Sequence, residues 1–244
     1  MSLDPQTIPV DAESTPAAVK WRGRDLVWAA VLGLMAGILV MIPIAAFLAR
    51  EGADPPFALF GMVGLVIYAC LFLSTWWIAI KKRGATLRDA GFRPVPALTL
   101  VKMVPVTLGM MMLTALLVTI SSQLFGEVPT AQDQVVGDAT SLSFGDFLWI
   151  MAVAAVAAPI AEEFLFRGML LRLLRTRMKL VAAVAVSAIA FALLHFIPAL
   201  VPALLGMGVV LAVVADRYDS LYPAMLVHAL NNGIAVIAIY AALG

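Results

Sequence analysis

Three long apolar stretches constrain this chain more than any other feature of its sequence. They cover residues 26–48, 57–80 and 103–122, and none of them contains an acidic or basic residue. A helix needs about 20 apolar residues to cross the roughly 30 Å hydrocarbon core of a bilayer. Each stretch is therefore long enough to span a membrane.

The composition of the 244-residue chain predicts the same class of protein. Hydrophobic residues make up 63% of the sequence and charged residues only 13%, whereas a soluble domain carries roughly a quarter charged residues. A soluble globule of this length could not cover its apolar surface with so few charges. The sequence therefore predicts an integral membrane protein whose fold is an all-α, polytopic helical bundle.

The second half of the chain contains further spans that are less regular. Residues 147–161 begin a fourth span, which continues to Leu171 only after two acids and one base. Residues 180–215 carry no charge, but as one helix they would be about 54 Å long, which is too long for one crossing. Pro198 and Pro202 lie near the middle of this stretch and disfavour a continuous helix.

We therefore expect two spans at 180–197 and 201–215, followed by a last span at 221–242. The chain then has seven spans, within a range of six to eight. Glycines at 33, 37, 206 and 208 are expected at close contacts between helices.

Loop charges predict the orientation of the bundle. The loops before the first span, between the second and third, and after the fourth are basic. Their basic residues are Lys20, Arg22, Arg24, Lys81, Lys82, Arg83, Arg88, Arg93, Arg172, Arg175, Arg177 and Lys179. The loops on the other side contain Arg50 as their one base, and four acids lie in the 123–146 loop. Because basic loops stay in the cytoplasm, we expect a cytoplasmic N-terminus and an external C-terminus.

These features divide the chain into four parts. We expect a disordered polar cytoplasmic tail at 1–22, an N-terminal three-span region at 23–125, an acidic extracytoplasmic loop at 126–146 and a four-span core at 147–244. The net charge of +1 provides no overall field that would attract nucleic acid, so the expected partner is the lipid bilayer. The single cysteine, Cys70, excludes an intrachain disulfide framework and a multi-cysteine metal site.

Ionisable side chains inside the spans are candidates for function, because burying each in a bilayer costs a few kcal/mol or more. His195 and His228 are the two histidines of the sequence, and both fall within predicted spans, as do the adjacent Glu162 and Glu163. The alternative is a structural role, in which these groups hydrogen-bond across helices. At 1.5 Å per residue, these groups and Asn232 lie about 10–22 Å below the cytoplasmic surface, so one cavity open to the cytoplasm could hold them all.

Helical spacing separates the roles of the two acids. Glu163 and Arg167 are four residues apart, so they share a face of the helix and can pair. Glu162 is rotated by about 100° and has no such partner, and an unpaired carboxylate in a low dielectric accepts a proton more readily. We therefore expect Glu162 to be a general base and Glu163 to hold Arg167. Pro159, one turn earlier, is expected to kink the helix or to free a carbonyl group.

The other two spans carry further spaced pairs. His228 and Asn232 share a helix face, and both can donate hydrogen bonds to one point, which suits an oxyanion. Asn231 could replace Asn232 if the helix is rotated differently. Phe191 and His195 have the same spacing, and we expect the phenyl ring to pack against the imidazole and orient it.

Taken together, these pairs resemble the three ordered motifs of the CPBP intramembrane proteases, the CAAX-processing and bacteriocin-immunity group. The motifs are Glu162-Glu163-x-x-x-Arg167, Phe191-x-x-x-His195 and His228-x-x-x-Asn232. The resemblance covers residues 145–240, whereas the first three spans match the family only in being hydrophobic.

The resemblance implies a glutamate-type intramembrane endopeptidase in a bacterial plasma membrane, acting on a membrane-associated or prenylated peptide or protein. It implies that Glu162 and His195 activate water, and that His228 and Asn232 form an oxyanion hole. Glu163, Arg167 and Phe191 would support them. No cofactor is expected, but one glutamate and two histidines are also a permitted zinc set, namely Glu162, His195 and His228.

Two other functions fit the same intramembrane residues. A small proton-coupled transporter also uses acids and histidines inside its spans, although the sequence has none of the internal symmetry that is common in transporters. A non-catalytic membrane partner or immunity protein would keep the motif residues for folding alone.

Overall fold

The computed structural model of the chain describes residues 19–51, 57–126, 128 and 141–243. These residues form a helical bundle without strands, and six of its helices are long and apolar enough to cross a membrane. The helices are α1 (Gly23–Glu51), α2 (Phe57–Trp76, with a π-helical end at Trp77–Lys82), α3 (Ala97–Phe125), α4 (Phe144–Arg175), α5 (Leu180–Leu193), α6 (Val201–Tyr218) and α7 (Leu221–Leu243). The predicted polytopic bundle is confirmed.

The fifth predicted span, at 180–197, is shorter than expected. Helix α5 has 14 residues, and at 1.5 Å per residue it is about 21 Å long, too short to cross the hydrocarbon core. It ends at Leu193, so His195 lies beyond the helix and not within a span at 180–197, which corrects that prediction. Pro198 begins a short 3-10 turn, and the residue before a proline is pushed out of helical geometry.

Large apolar side chains remain exposed along the outer faces of the helices. Examples are Val27 on α1, Met112 on α3 and Val181 on α5, which are 62%, 75% and 81% exposed. Such faces are stable only against lipid, because in water they would form extensive apolar patches. The exposed belt therefore agrees with the predicted membrane location.

Close helix contacts occur at the predicted glycines. A Cβ atom on Gly33 of α1 would lie 2.7 Å from the Cα atom of Leu71 on α2, and one on Gly208 of α6 would lie 2.9 Å from the Cα atom of Ala188 on α5. Small residues let the backbones approach to this distance. The two pairs fix α1 against α2 and α5 against α6.

The end of the bundle that carries the basic loops is tightly packed. Trp21 is 2% exposed, and its Nε1 atom donates a hydrogen bond to the carbonyl oxygen of Met169 on α4. Asp25, at the start of α1, accepts hydrogen bonds from Arg83 after α2, at 2.8 Å. The disorder predicted for residues 1–22 is therefore wrong for the segment around Trp21, while residues 1–18 lie outside the described residues. Most of the predicted acidic loop at 126–146 also lies outside them.

Helix α4 changes geometry on both sides of its acidic pair. It is π-helical at Ala152–Ala157 and Phe164–Leu171, and α-helical at Ala158–Glu163 between them. In the first π-helical segment the carbonyl of Ala154 would accept a bond from the backbone nitrogen five residues later, but that residue is Pro159, which has no N–H group. The Nδ2 atom of Asn232 on α7 donates to this carbonyl instead, at 2.9 Å. Pro159 thus frees a carbonyl, as predicted.

Candidate active site

A cavity of about 550 Å³ lies inside the bundle, between α2, α3, α4, α6, α7 and the break after α5. All four residues predicted to be catalytic line it, namely Glu162, His195, His228 and Asn232. Glu162 and His228 are buried, whereas His195 and Asn232 are partly exposed. These side chains come from three separate regions of the bundle and line the same cavity.

The pairing of Glu163 with Arg167 that the spacing predicts is present and fully buried. The Arg167 Nη1 atom lies 2.8 Å from Glu163 Oε1, and both side chains have no exposed surface. Arg167 also donates to the carbonyl oxygen of Gly208 at 3.1 Å, and its guanidinium carbon lies 4.6 Å from the centre of the Phe191 ring. A buried charge pair with these contacts is held in one geometry.

His228 lies between the two carboxylates. Its Nδ1 atom is 3.0 Å from Glu163 Oε1, and its Nε2 atom is 3.9 Å from Glu162 Oε2. Because Oε1 of Glu163 also accepts from Arg167, we assign the hydrogen of the bond between Glu163 and His228 to Nδ1 of His228. The Nε2 atom, which points toward Glu162, can then donate a hydrogen bond only when the imidazole is protonated.

The two acid–base pairs of this cluster differ in separation. Glu163 and Arg167 form a close neutral pair, whereas Glu162 Oε2 and His228 Nε2 are 3.9 Å apart. A partner of opposite charge lowers the cost of keeping Arg167 and Glu163 away from water. The Oε2 atom of Glu162 is buried and has no hydrogen-bond partner among the described residues, so it is available to a molecule in the cavity.

The end of α5 fixes the orientation of His195. The Nδ1 atom of His195 lies 2.7 Å from the carbonyl oxygen of Phe191, and since that oxygen can only accept, Nδ1 carries the hydrogen. In the neutral imidazole Nε2 is then a free acceptor. Phe196, the next residue, has a φ of 56°, a left-handed conformation that is costly for a bulky side chain. Strain of this kind is concentrated at functional sites.

The Phe191 ring packs against the imidazole of His195, as its spacing predicts. The two ring centres are 4.7 Å apart, and the ring of His228 lies 6.1 Å away on the same phenyl group. Phe191 has no exposed surface. It therefore holds both imidazoles in place.

The two asparagines of α7 both line the cavity. Asn231 donates from Nδ2 to Asn232 Oδ1 at 3.0 Å, and Asn232 donates from its own Nδ2 to Ala154. An amide nitrogen carries two hydrogens. One amide hydrogen of Asn232 is thus donated to the carbonyl oxygen of Ala154, and the other remains available to a ligand.

Tyr68 of α2 is a cavity residue that the sequence motifs do not include. Its side chain lines the cavity next to the carboxylate of Glu162. Within its span, Tyr68 stands among apolar residues, and Ser74 and Thr75 are the next polar residues along the helix. An isolated hydroxyl in an apolar span could have marked Tyr68 as a candidate site residue. The sequence does not indicate which side chain of another helix this hydroxyl would contact.

The three residues of the alternative zinc set are not arranged as metal ligands in the described part of the chain. Across the described ranges, no group of three His, Cys, Asp or Glu side chains is arranged to hold a metal ion. Glu162, His195 and His228 share the cavity without forming such a group. The expected independence from cofactors stays a prediction.

The cavity extends away from the basic loops. Its lining on α4 runs from Glu162 back to Ile150, and on α7 from His228 forward to Val236. Both directions lead to the end of the bundle opposite Arg175. Toward the basic loops, residues 161–169 of α4 are continuously buried. The predicted opening of the site on the basic, cytoplasmic side stays a prediction, because most of the loops at the other end, 52–56 and 127–140, lie outside the described residues.

The fold and the cavity together define an integral membrane protein with a buried acid–histidine cluster inside its helical bundle. Residues 144–234, which carry all three motifs, match the family described as type II CAAX prenyl endopeptidase, Rce1-like. The match confirms the resemblance to the CPBP and CAAX protease family, and this family implies protease activity. No curated protein and no solved structure matches the chain.

Proposed function

We propose that this protein is an intramembrane endopeptidase that hydrolyses a peptide bond in a membrane-associated protein or peptide. The observation that carries the proposal is the cavity shared by Glu162, His195, His228 and Asn232, within the segment that matches the protease family. The family description also supports prenylated proteins as a class of substrate.

Glu162 and His195 are proposed to activate a water molecule. Glu162 takes one proton from the water, and the water oxygen bonds to the scissile carbonyl carbon as the carbonyl electron pair moves to its oxygen. Cleavage of the C–N bond then passes the proton from Glu162 to the leaving nitrogen, so one water molecule yields one acid and one amine. The free Nε2 acceptor of His195 supports its role in holding the water. A positioned general base contributes typically about 10²–10⁴-fold to rate.

His228 and Asn232 are proposed to stabilise the oxyanion. The second amide hydrogen of Asn232 and the Nε2 hydrogen of a protonated His228 would donate to the negative oxygen. The buried pair of Glu163 and Arg167 supports this role, because Glu163 lies 3.0 Å from the Nδ1 atom of His228 and fixes the orientation of the ring. Loss of one such donor typically reduces the rate about 10²–10³-fold.

We propose that the mechanism is independent of metal ions and that the protein lies in a bacterial plasma membrane. The geometry of the donors supports the first point, because the described residues contain no assembled three-ligand set. The matched family and the apolar spans support an integral membrane location, and the basic loops support a cytoplasmic position for that end of the bundle.

The experiment compares membranes from cells that express the wild-type protein or Glu162→Gln at equal levels. Mass spectrometry of new protein N-termini should reveal cleavage products that are present with the wild type and absent with the variant. Asp89→Asn is the matched control, because this carboxylate is 42% exposed near the basic loops and is not among the residues that line the cavity. Identical products from wild type and Glu162→Gln would contradict the proposal, and proton flux lost with Glu162 would then favour a transporter.

A further inference from the structure

The sequence contains two asparagines, Asn231 and Asn232, which are adjacent in the apolar helix α7 and both line the cavity. They follow His228 by three and four residues, so each is its neighbour on the helix surface. We propose that Asn231 is a positioning residue, which fixes the side-chain amide of Asn232 so that its nitrogen, and not its oxygen, faces the reacting carbonyl group. This chemical role rests on the proposed function, whereas the arrangement of the two amides does not.

The amide of an asparagine must be oriented before it can stabilise an oxyanion. Its nitrogen donates and its oxygen accepts, and a half-turn about the last side-chain bond exchanges the two atoms without changing the shape of the group. With the oxygen turned toward the substrate, Asn232 would repel the oxyanion instead of binding it. Hydrogen bonds from neighbouring groups are therefore needed to select one orientation.

The carbonyl oxygen of Ala154 on α4 selects the nitrogen end of Asn232. This oxygen can only accept a hydrogen bond, and the Nδ2 atom of Asn232 lies 2.9 Å from it. The backbone groups that could compete for it are not available, because the N–H of Ala158 bonds to the carbonyl of Val153 and residue 159 is a proline. The amide of Asn232 is thereby tied to the helix that also carries the proposed base.

Asn231 holds the other end of the same amide. Its Nδ2 atom donates to the Oδ1 atom of Asn232 at 3.0 Å. One hydrogen bond alone would leave the amide plane of Asn232 free to pivot about the carbonyl of Ala154, whereas bonds at both ends hold the plane. Donation to Oδ1 also polarises the amide and strengthens its nitrogen as a donor. The second Nδ2 hydrogen of Asn232 is therefore presented to a ligand in one direction.

Asn231 makes few other contacts through which it could act on the site. The bond to Asn232 is the one side-chain hydrogen bond that Asn231 forms within the described residues. The contact of His228 with Glu163, and that of Glu163 with Arg167, do not include it. Loss of the donor at residue 231 should therefore alter the orientation of Asn232 and leave these buried pairs intact.

The first test uses Asn231→Leu, because leucine keeps the branched shape of asparagine and cannot donate a hydrogen bond. With purified protein and an identified substrate, we expect kcat to fall about 10- to 100-fold while KM is retained, since only the transition state uses the oriented donor. In an Asn232→Ala background, Asn231→Leu should lower kcat no further. An equal fall of kcat in both backgrounds would overturn the inference. So would wild-type kcat in Asn231→Leu together with a lower kcat in Asn231→Ala, because this result would mean that the side chain only fills space.

The second test needs no catalysis. Because the chain has two asparagines, protein labelled with ¹⁵N-asparagine gives two side-chain NH₂ groups in its NMR spectrum, and Asn232→Ala identifies one of them by its loss. We expect the NH₂ order parameter of Asn232 to be lower in Asn231→Leu than in the wild type. An unchanged order parameter would overturn the inference. A lower order parameter, with no cleavage by the wild type, would contradict the proposed function and not the arrangement of the two amides.

Discussion

The Nδ1 atom of His228 lies 3.0 Å from Oε1 of Glu163, which in turn holds Arg167 at 2.8 Å. These three buried side chains form a chain of hydrogen bonds from α4 to α7. The free end of that chain, Nε2 of His228, points toward Glu162. The second acid of the motif therefore fixes the orientation of the histidine, and the Oε2 atom of the first acid has no hydrogen-bond partner among the described residues.

Removing the charge of Glu163 should destabilise the protein strongly. In Glu163→Gln the guanidinium of Arg167 stays buried without its counter-ion, and breaking one partner of a buried pair costs about 3–5 kcal/mol. Thermal unfolding in detergent would measure this loss. In Glu163→Gln/Arg167→Gln the uncompensated charge is absent, so the double variant should be more stable than the sum of the two single losses predicts. A purely additive result would contradict the coupling.

Asn232→Ala should lower stability as well as activity, because it leaves the carbonyl of Ala154 without a donor. An unsatisfied buried polar group costs about 1–3 kcal/mol. The loss in unfolding free energy should be smaller in a Pro159→Ala background, since residue 159 then has a backbone N–H to donate. An equal loss in both backgrounds would show that the bond from Asn232 does not replace the one that the proline lacks.

Tyr68→Phe tests the cavity residue that lies outside the motifs. Removal of its hydroxyl takes a polar group away from the cavity that Glu162 also lines, while the ring is kept. We expect this hydroxyl to donate to Glu162 in the reacting complex, and since a hydrogen bond to a charged group is worth about 1.5–3 kcal/mol, kcat/KM should fall roughly 10- to 100-fold. The same cleavage assay on Tyr240→Phe provides the control, because Tyr240 packs against Phe147 away from the cavity. Unchanged cleavage by Tyr68→Phe would show that the hydroxyl of Tyr68 does not contribute to the reaction.

Gly208→Ala should destabilise the contact between α5 and α6. Its new methyl group would lie 2.9 Å from the backbone of Ala188, and the adjacent carbonyl of Gly208 also accepts from Arg167. Gly109→Ala on α3 meets nothing within 4 Å, so it should instead gain up to about 1 kcal/mol from helix propensity. Unfolding temperatures that shift in the same direction for both variants would contradict this packing.

Spacing predicts the local pairs of this site well. The pair of Glu163 and Arg167 and the contact of Phe191 with His195 each lie one helical turn apart, so helical geometry alone brings them together. The contact between His228 and Glu163 spans 65 residues. It depends on how α7 packs against α4, and no local pattern encodes that packing.

Other features could not be predicted from the sequence, for different physical reasons. The position of His195 beyond α5 depends on how far a proline disrupts the residues before it, which a count of apolar residues does not report. The direction of the cavity depends on which half of the bundle is filled by large side chains such as Phe164. Depth below a membrane surface is the same for a cavity that opens to either side, so depth alone does not predict the side of the opening.

The central claim is that Glu162 acts as the base that activates water. The most direct test is the rate of cleavage of an identified substrate by purified protein in detergent, compared between the wild type and Glu162→Gln. We expect kcat to fall by at least about 10²-fold, the contribution of a general base, while the unfolding temperature is retained. Wild-type kcat in a folded Glu162→Gln protein would contradict the account.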